Sequence, residues 1–372
     1  MLGDSTDRAS GNSVVGVGGP LVSVVIPAYN GELTIGQTLK SLTAQSYANL
    51  ELIVVSDGCK DRTDAVVESF FSSKGLEGQL LVHSTNQGLA RSLNDGLREA
   101  RGDFVLILHQ DIVLLSKDWI VNGLDDLRLD PTADVVTGDY GIPAREEIDF
   151  VQRTFGVMRR QFHVGIQEGI EAVTFSEFKC DLVRAKALRD VGGFPERFRI
   201  AGEDLWVCSA LRAKGRTVLK DYRLRSVQRY TGDATTIRGN LKKEFVFGKA
   251  LGGTVLRFGT VATRGLKKTP YSRSRTLNRV SQPVVLAIAL GLLAGWLLSR
   301  NVWWVAPLAL LVVARLGYYT ARLYPDVARL LAGKGRAIGE SIAGSFLGIG
   351  SDLAYSAGLL VGLVRWVKGS RV

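Results

Sequence analysis

The amino-acid sequence predicts an α/β domain on a parallel sheet, followed by a C-terminal α-helical transmembrane module. Three observations predict it. From residue 21 onward, short apolar runs alternate with amphipathic stretches; polar signals stand at the ends of those runs; and the last quarter of the chain is hydrophobic.

Strands are expected near Leu21–Ile26, Leu50–Val55, Leu80–His83 and Phe104–Leu108, with helices near Thr34–Gln45, Thr63–Phe71 and Leu89–Ala100. Ile35, Leu39 and Leu42 fall at i, i+4 and i+7, the spacing of one buried helix face. Near-continuous apolar strands separated by helices imply a parallel sheet covered on both faces, with ligands at the carboxyl ends of its strands. The polar signals at or just after those ends are Ala28-Tyr29-Asn30, Ser56-Asp57-Gly58 and His109-Gln110-Asp111; Glu203-Asp204 stands apart from any such strand.

Of 372 residues, 46% are hydrophobic, enough for a sizeable core plus an appendage. The expected organisation is a flexible tail over 1–20, the α/β domain over 21–235, a basic interfacial segment over 236–280 and transmembrane helices over 281–372. Net charge is +11, and six basic residues with no acidic one lie between Arg264 and Arg279, directly before the first long apolar run. That placement favours lipid headgroups over nucleic acid, since interleaved aromatics are missing. Cys59, Cys180 and Cys208 form no CxxC pair, so neither a disulfide framework nor a zinc site is suggested. No signal-like leader is expected at the N-terminus.

Val280–Ser299 gives 20 residues without a charge and Val302–Thr320 a second span, joined only by Arg300 and Asn301. Basic residues flank both outer ends, which by the positive-inside rule expects a multi-pass membrane protein with its α/β domain in the cytoplasm. Ser341–Val364 is interrupted by Asp352 yet carries Gly344-x-x-x-Gly348 and Gly358-x-x-x-Gly362 spacings suited to close helix packing; a span and, since spanning would carry the basic tail outside, a bent or re-entrant segment both stay open there. Leu241–Val261 mixes phenylalanine and leucine with Lys242, Lys243 and Lys249, as an interfacial helix does.

Neither GxxxxGK[ST] nor GxGxxG follows the first strand, so phosphates must be held another way. Asp111, after a buried strand, can take a divalent cation that neutralises a diphosphate, and His109 lies on the same side of an extended chain; the plain alternative is a carboxylate capping a turn. Glu203-Asp204 can supply a general base or merely favour the start of a helix over Leu205–Ala213. His83 and His163 have no partners at ligand spacing and read as surface or satisfied histidines.

Taken in order, these residues resemble the family 2 glycosyltransferases, inverting enzymes with a GT-A fold (a Rossmann-like nucleotide-diphospho-sugar transferase domain), over residues 21 to 235. The resemblance implies a nucleotide-sugar site at Pro27, Ala28, Tyr29, Asn30 and Glu32, with Asp57 on the base or ribose. It adds Asn86, Gly88, Arg91 and Asn94 from the segment Asn86–Gly96, Gln110 from the metal loop, and Arg229 at the diphosphate. Where the family has Asp-x-Asp, this chain has His109-Gln110-Asp111, implying Mn²⁺ or Mg²⁺ on Asp111 and His109 with weaker dependence. Asp204 is implied as the base that deprotonates the acceptor, with Glu203 beside it, and Trp206 lines the acceptor cleft or packs in the core. The implied partners are a UDP-, GDP- or dTDP-sugar, a lipid-linked or polysaccharide acceptor, and membrane lipids. A polyprenyl-phosphate sugar synthase and a non-catalytic GT-A-fold binding protein are the alternatives.

Overall fold

The computed structural model describes residues 19–74, 78–141, 148–159, 168–198, 202–229, 235–258, 273–331 and 333–367. The tail up to residue 18, the basic Arg264, Lys267 and Lys268, and His163 lie outside them.

Strands β1 (Val22–Ala28), β2 (Leu50–Asp57), β3 (Gly78–His83) and β4 (Phe104–Leu108) alternate with α1 (Ile35–Thr43), α2 (Thr63–Lys74) and α3 (Leu89–Glu99). They form a parallel array in the order β3-β2-β1-β4. Side chains alternate across the pleat, so Val24, Ile26, Val54, Leu106 and Leu108 join one core, while Val25, Ile53, Val55, Val105 and Ile107 join another on the opposite face. Both faces are covered, which is why these strands read as unbroken apolar runs. Each such side chain contributes about 1.5–3 kcal/mol on burial.

Beyond β4, past the strands the sequence pattern marks, the sheet becomes mixed. It continues through β5 (Ile112–Leu114), α4 (Trp119–Leu129), β6 (Ala133–Gly141), α5 (Phe150–Arg159), β7 (Ile170–Val173), β8 (Cys180–Arg184), α6 (Ala185–Asp190), α7 (Glu203–Ala213) and β9 (Thr217–Gln228). Strand β8 pairs antiparallel with both β4 and β6, and β9 pairs parallel with β6 but antiparallel with β5 and β7. An antiparallel neighbour needs no crossover helix, so the periodicity that marks βαβ units is lost here. Because β1 has β2 on one side and β4 on the other, the loops after β1 and β4 diverge and leave a crevice at the carboxyl ends.

The C-terminal part comprises α8 (Ile237–Phe258), α9 (Arg273–Ser299), α10 (Val305–Leu330) and α11 (Lys334–Val367). By length and composition two stretches, Val302–Arg329 and Lys334–Val364, can cross a membrane, and Pro283–Ser299 is a shorter apolar helix. Leu286, Ile288 and Leu290 of α9 and Leu310 and Val313 of α10 are exposed, with exposed Trp303 and Trp304 at the turn between the two helices.

Of the two readings open for this segment, helix α11 takes the unbroken one. Asp352 does not break it because its carboxylate turns inward and accepts from the Tyr319 hydroxyl, while Ser341 and Ser345 bond back to carbonyls one turn earlier at 2.7 Å. The Gly358–Gly362 face meets α8. A Cβ on Gly358 would stand 1.9 Å from the Phe245 carbonyl oxygen, so the two backbones touch where no side chain fits. Helix α5 joins the α/β domain to α10 and α11 through Phe155, Met158, Leu323 and Val327. The Arg153 guanidinium donates to both carboxylate oxygens of Glu340 at 3.1 Å.

Candidate active site

The crevice between the β1 and β4 loops is built from backbone turns tied by side chains. Tyr29 N–H donates to Gln110 Oε1 at 2.9 Å, and Gln110 Nε2 donates to the Tyr29 carbonyl at 3.0 Å. Thr38 holds the same loop from behind, its hydroxyl donating to the Gln110 carbonyl at 2.8 Å. Gly31 must be glycine, because a Cβ there would lie 2.1 Å from Gln110 Oε1. Asn30 accepts from Lys60 N–H at 2.9 Å, and Glu32 accepts from Arg62 N–H at 3.0 Å, so the loops after β1 and β2 are sewn together. Pro27 and Ala28 close the end of β1 beneath them.

Asp57 sits buried at the end of β2 with both oxygens engaged: Gln87 N–H and Gly88 N–H donate at 2.7 and 2.8 Å, and His83 Nδ1 lies 2.8 Å away. His83 Nε2 contacts Asp95 at 2.9 Å, so His83 is a satisfied histidine bridging two carboxylates. Asn86 N lies against Gly58 in this turn.

Two other residues of the expected donor site also hold partners within the protein. Asn94 pins the backbone of Phe194 with two hydrogen bonds of 2.7 and 2.8 Å, and Arg91 pairs with Asp95 at 3.0 Å and Glu196 at 3.3 Å. A backbone N–H or carbonyl with no ladder partner takes whichever side chain the fold brings to it.

Across the crevice, Asp111 Oδ2 accepts from Gln228 Nε2 at 2.8 Å, and its carbonyl accepts from Arg229 N–H at 2.7 Å. Lys179 donates to Gln228 Oε1 at 3.4 Å and pairs with Glu177. Burial pushes the His109 imidazole down to about 4, opposed by the negative charge of Asp111 and helped by the positive charge of Lys179, so the ring is neutral at pH 7. His109 Nε2 is shielded from solvent and has no hydrogen-bond partner among the described residues. A neutral, unpartnered imidazole nitrogen two residues from a carboxylate fits a divalent ion with few protein ligands. No group of three or more His, Cys, Asp or Glu forms a complete cage among the described residues, so other ligands must come from a bound diphosphate or water.

Glu203 and Asp204 open α7, only 4% and 7% exposed. Gly202 precedes them in the left-handed region at φ 108°, directly beneath Ala250 of α8. Asp204 Oδ1 accepts from Leu205 N–H at 2.6 Å, while Glu203 Oε2 has no hydrogen-bond partner among the described residues. The positive end of α7 favours anions, but burial outweighs it. Burial raises Glu203 to about 7 against the pull of Lys243 and Lys179, and burial together with the charge of Glu203 raises Asp204 well above the carboxylate range. Two adjoining carboxyls here cannot both ionise cheaply, which leaves one poised to take up a proton.

Trp206, read from the sequence as lining the acceptor cleft or packing in the core, has aromatic and cationic neighbours. Its ring meets Phe198 at 5.9 Å and Phe258 at 4.8 Å, and the Arg197 guanidinium lies over it at 3.8 Å. Two turns of helix separate Lys243 from Ala250, so the sequence holds no signal tying Lys243 to Glu203; nor does it tie Lys179 and Gln228 to Asp111. Only the packing of α8 and the pairing of β9 bring them in.

Residues 23–192 match the family described as Glycosyl transferase family 2. The chain carries a family 2 glycosyltransferase domain. The matched stretch runs from β1 through α6 and stops before Glu203. An uncharacterized glycosyltransferase of Haemophilus influenzae is 37% identical over 103 residues, covering 28% of this chain and 38% of that protein. The poly-beta-1,6-N-acetyl-D-glucosamine synthase of Staphylococcus epidermidis is 27% identical over 178 residues, covering 46% of this chain and 41% of that protein. The chain thus spans less than half the length of these curated relatives. A mannosyltransferase of Pyrobaculum calidifontis, solved with GDP-Man and Mn²⁺, shares the fold with a TM-score of 0.60 at 19% identity over 88% of this chain and 87% of its own.

Proposed function

We propose that this family 2 glycosyltransferase transfers a sugar, with inversion, from a nucleoside-diphosphate donor to a lipid-linked or polysaccharide acceptor at the cytoplasmic face of a membrane. The observation that carries the reading is the buried Glu203-Asp204 pair, near enough to the β4 loop that Lys179 and Lys243 act on both Glu203 and His109. The Asp204 carboxylate takes the proton of the acceptor hydroxyl. That oxygen then forms its bond to the anomeric carbon as the bond from this carbon to the diphosphate oxygen breaks, and the diphosphate leaves with the electron pair. Glu203 tunes the base through its neighbouring charge.

On the donor side, Tyr29, Asn30 and Glu32 line the nucleotide loop, Asp57 orders the Asn86–Gly88 turn around the base, and Arg229 faces the diphosphate. A divalent ion on Asp111 and His109, when bound, would neutralise the leaving group. The α9–α11 helices anchor the chain as a multi-pass module, and the basic residues before α9 favour the cytoplasmic side for the α/β domain. Tethering favours a membrane-borne acceptor by raising its effective concentration.

The test is release of nucleoside diphosphate by detergent-purified protein across UDP-, GDP- and dTDP-sugars with native lipid extract. Turnover of one donor that is lost in Asp204→Asn supports the reading. Full turnover in that variant removes Asp204 as the base.

A further inference from the structure

Arg197 lies at the edge of the α/β domain, its guanidinium 3.8 Å from the Trp206 ring centroid and 4.9 Å from that of Phe198. Phe258, the last residue of α8, meets the same tryptophan edge-on at 4.8 Å, which brings Arg257 alongside. Partial burial, and after it the nearby charge of Arg257, hold the Arg197 guanidinium below its ordinary range. Among the described residues neither guanidinium has a hydrogen-bond or carboxylate partner. Stacking on aromatic faces fixes the guanidinium plane while leaving its N–H edge free to donate. Two like charges in such a position are completed by an anion that accepts from both.

What lies beside them selects the kind of anion. Along the end of α8, Gly252 packs against the α11 backbone at Leu359 and Gly362, so the cations stand next to the C-terminal half of α11. There Leu256 of α8 and Leu360 and Val364 of α11 are exposed. A ligand suited to this place carries its phosphate next to an apolar body.

We propose that Arg197 and Arg257, seated on the Trp206, Phe198 and Phe258 rings, bind the phosphate of an anionic membrane lipid. The site, built around Phe198, Trp206 and the end of α8, uses none of the residues that build the β1, β2 and β4 loop crevice. It rests on the membrane association proposed above and not on the transfer reaction.

The full chain in neutral detergent is titrated with dihexanoyl phosphatidic acid, dihexanoyl phosphatidylcholine and inorganic phosphate, following tryptophan fluorescence. Saturable quenching by phosphatidic acid is expected, on the order of tenfold weaker in Arg197→Gln or Arg257→Gln and absent in the double variant. Arg257→Lys should keep most of the affinity, and Trp206→Phe should remove the signal. Undiminished quenching in the double variant overturns the site, and equal affinity for inorganic phosphate or phosphatidylcholine overturns the lipid assignment. Should Arg197→Gln melt early, the exposed Arg257→Gln carries the same prediction alone. Nucleoside diphosphate release from the same preparations separates the two readings: lipid binding without donor turnover sinks glycosyl transfer and leaves the site standing, and turnover without lipid binding does the reverse.

Discussion

The side-chain amide of Gln110 closes a two-bond ring on the backbone of Tyr29, donating to its carbonyl and accepting from its N–H as a neighbouring strand would. The donor loop after β1 and the candidate metal loop after β4 therefore move as one piece. Gln110→Ala removes both bonds, each worth about 1 kcal/mol, and should weaken nucleotide binding on the order of tenfold or more. Calorimetric titration with the nucleoside diphosphate checks this; unchanged affinity would separate the two loops.

The raised carboxyls of Glu203 and Asp204 set a pH dependence. A base works only when deprotonated, so transfer should climb with pH along a limb at or above about 7, the value to which burial lifts Glu203. Glu203→Gln removes the neighbouring charge that raises Asp204, and should move that limb to lower pH. Asp204→Asn should cost about 10²- to 10⁴-fold in kcat at all pH values. A rate profile with the limb near 4 in the unmodified protein would contradict this.

His109 supplies a neutral imidazole where a second carboxylate would bind hard cations more tightly. His109→Asp should lower the Mg²⁺ concentration that gives half-maximal turnover, and His109→Ala should raise it. Titration of Mg²⁺ into metal-stripped protein, with donor turnover as readout, decides between a ligand and a bystander. No change in either variant would remove His109 from the metal site.

Away from the crevice, Asp126 of α4 and Asp221 of β9 are both buried and share Arg223, each carboxylate 2.8 Å from Nη2. Burial, followed by the bond to Asp221 and its charge, raises Asp126 to about 7. A carboxyl whose folded value lies above its unfolded one adds stability that is fully present below about 4 and is lost as pH rises through about 7. Asp126→Asn should flatten this decline. The check is the melting temperature at pH 5 and pH 8: a gap as large in the variant as in the unmodified protein would refute it.

Gly358 of α11 lets α8 sit against it, and α8 in turn covers Gly202 and the acidic pair. Gly358→Leu should overpack this seam by about 1–3 kcal/mol and reduce transfer while leaving nucleotide affinity intact. Gly339→Leu on the same helix is the control, since nothing stands within 4 Å of its Cβ position. Equal melting temperatures for the two variants would show that the seam tolerates a side chain.

Composition and periodicity by themselves determined the first four strands, the three helices between them, and the crevice at the strand ends, because a buried βαβ array writes its burial as apolar runs in register with its pleat. They determined equally that the C-terminal quarter is made of long apolar helices. Tertiary structure alone decided the mixed second half of the sheet, where β8 and β9 pair with strands far away in sequence and local periodicity carries no record of the partner. It also decided which partners Asn94, Arg91 and Trp206 meet, and that Asp352 is absorbed by Tyr319. Hydrogen-bond satisfaction is settled between residues that meet only in the folded chain. The same holds for Glu203 and Asp204: their identity is local, but the burial that raises them comes from α8, a helix held in place by α11.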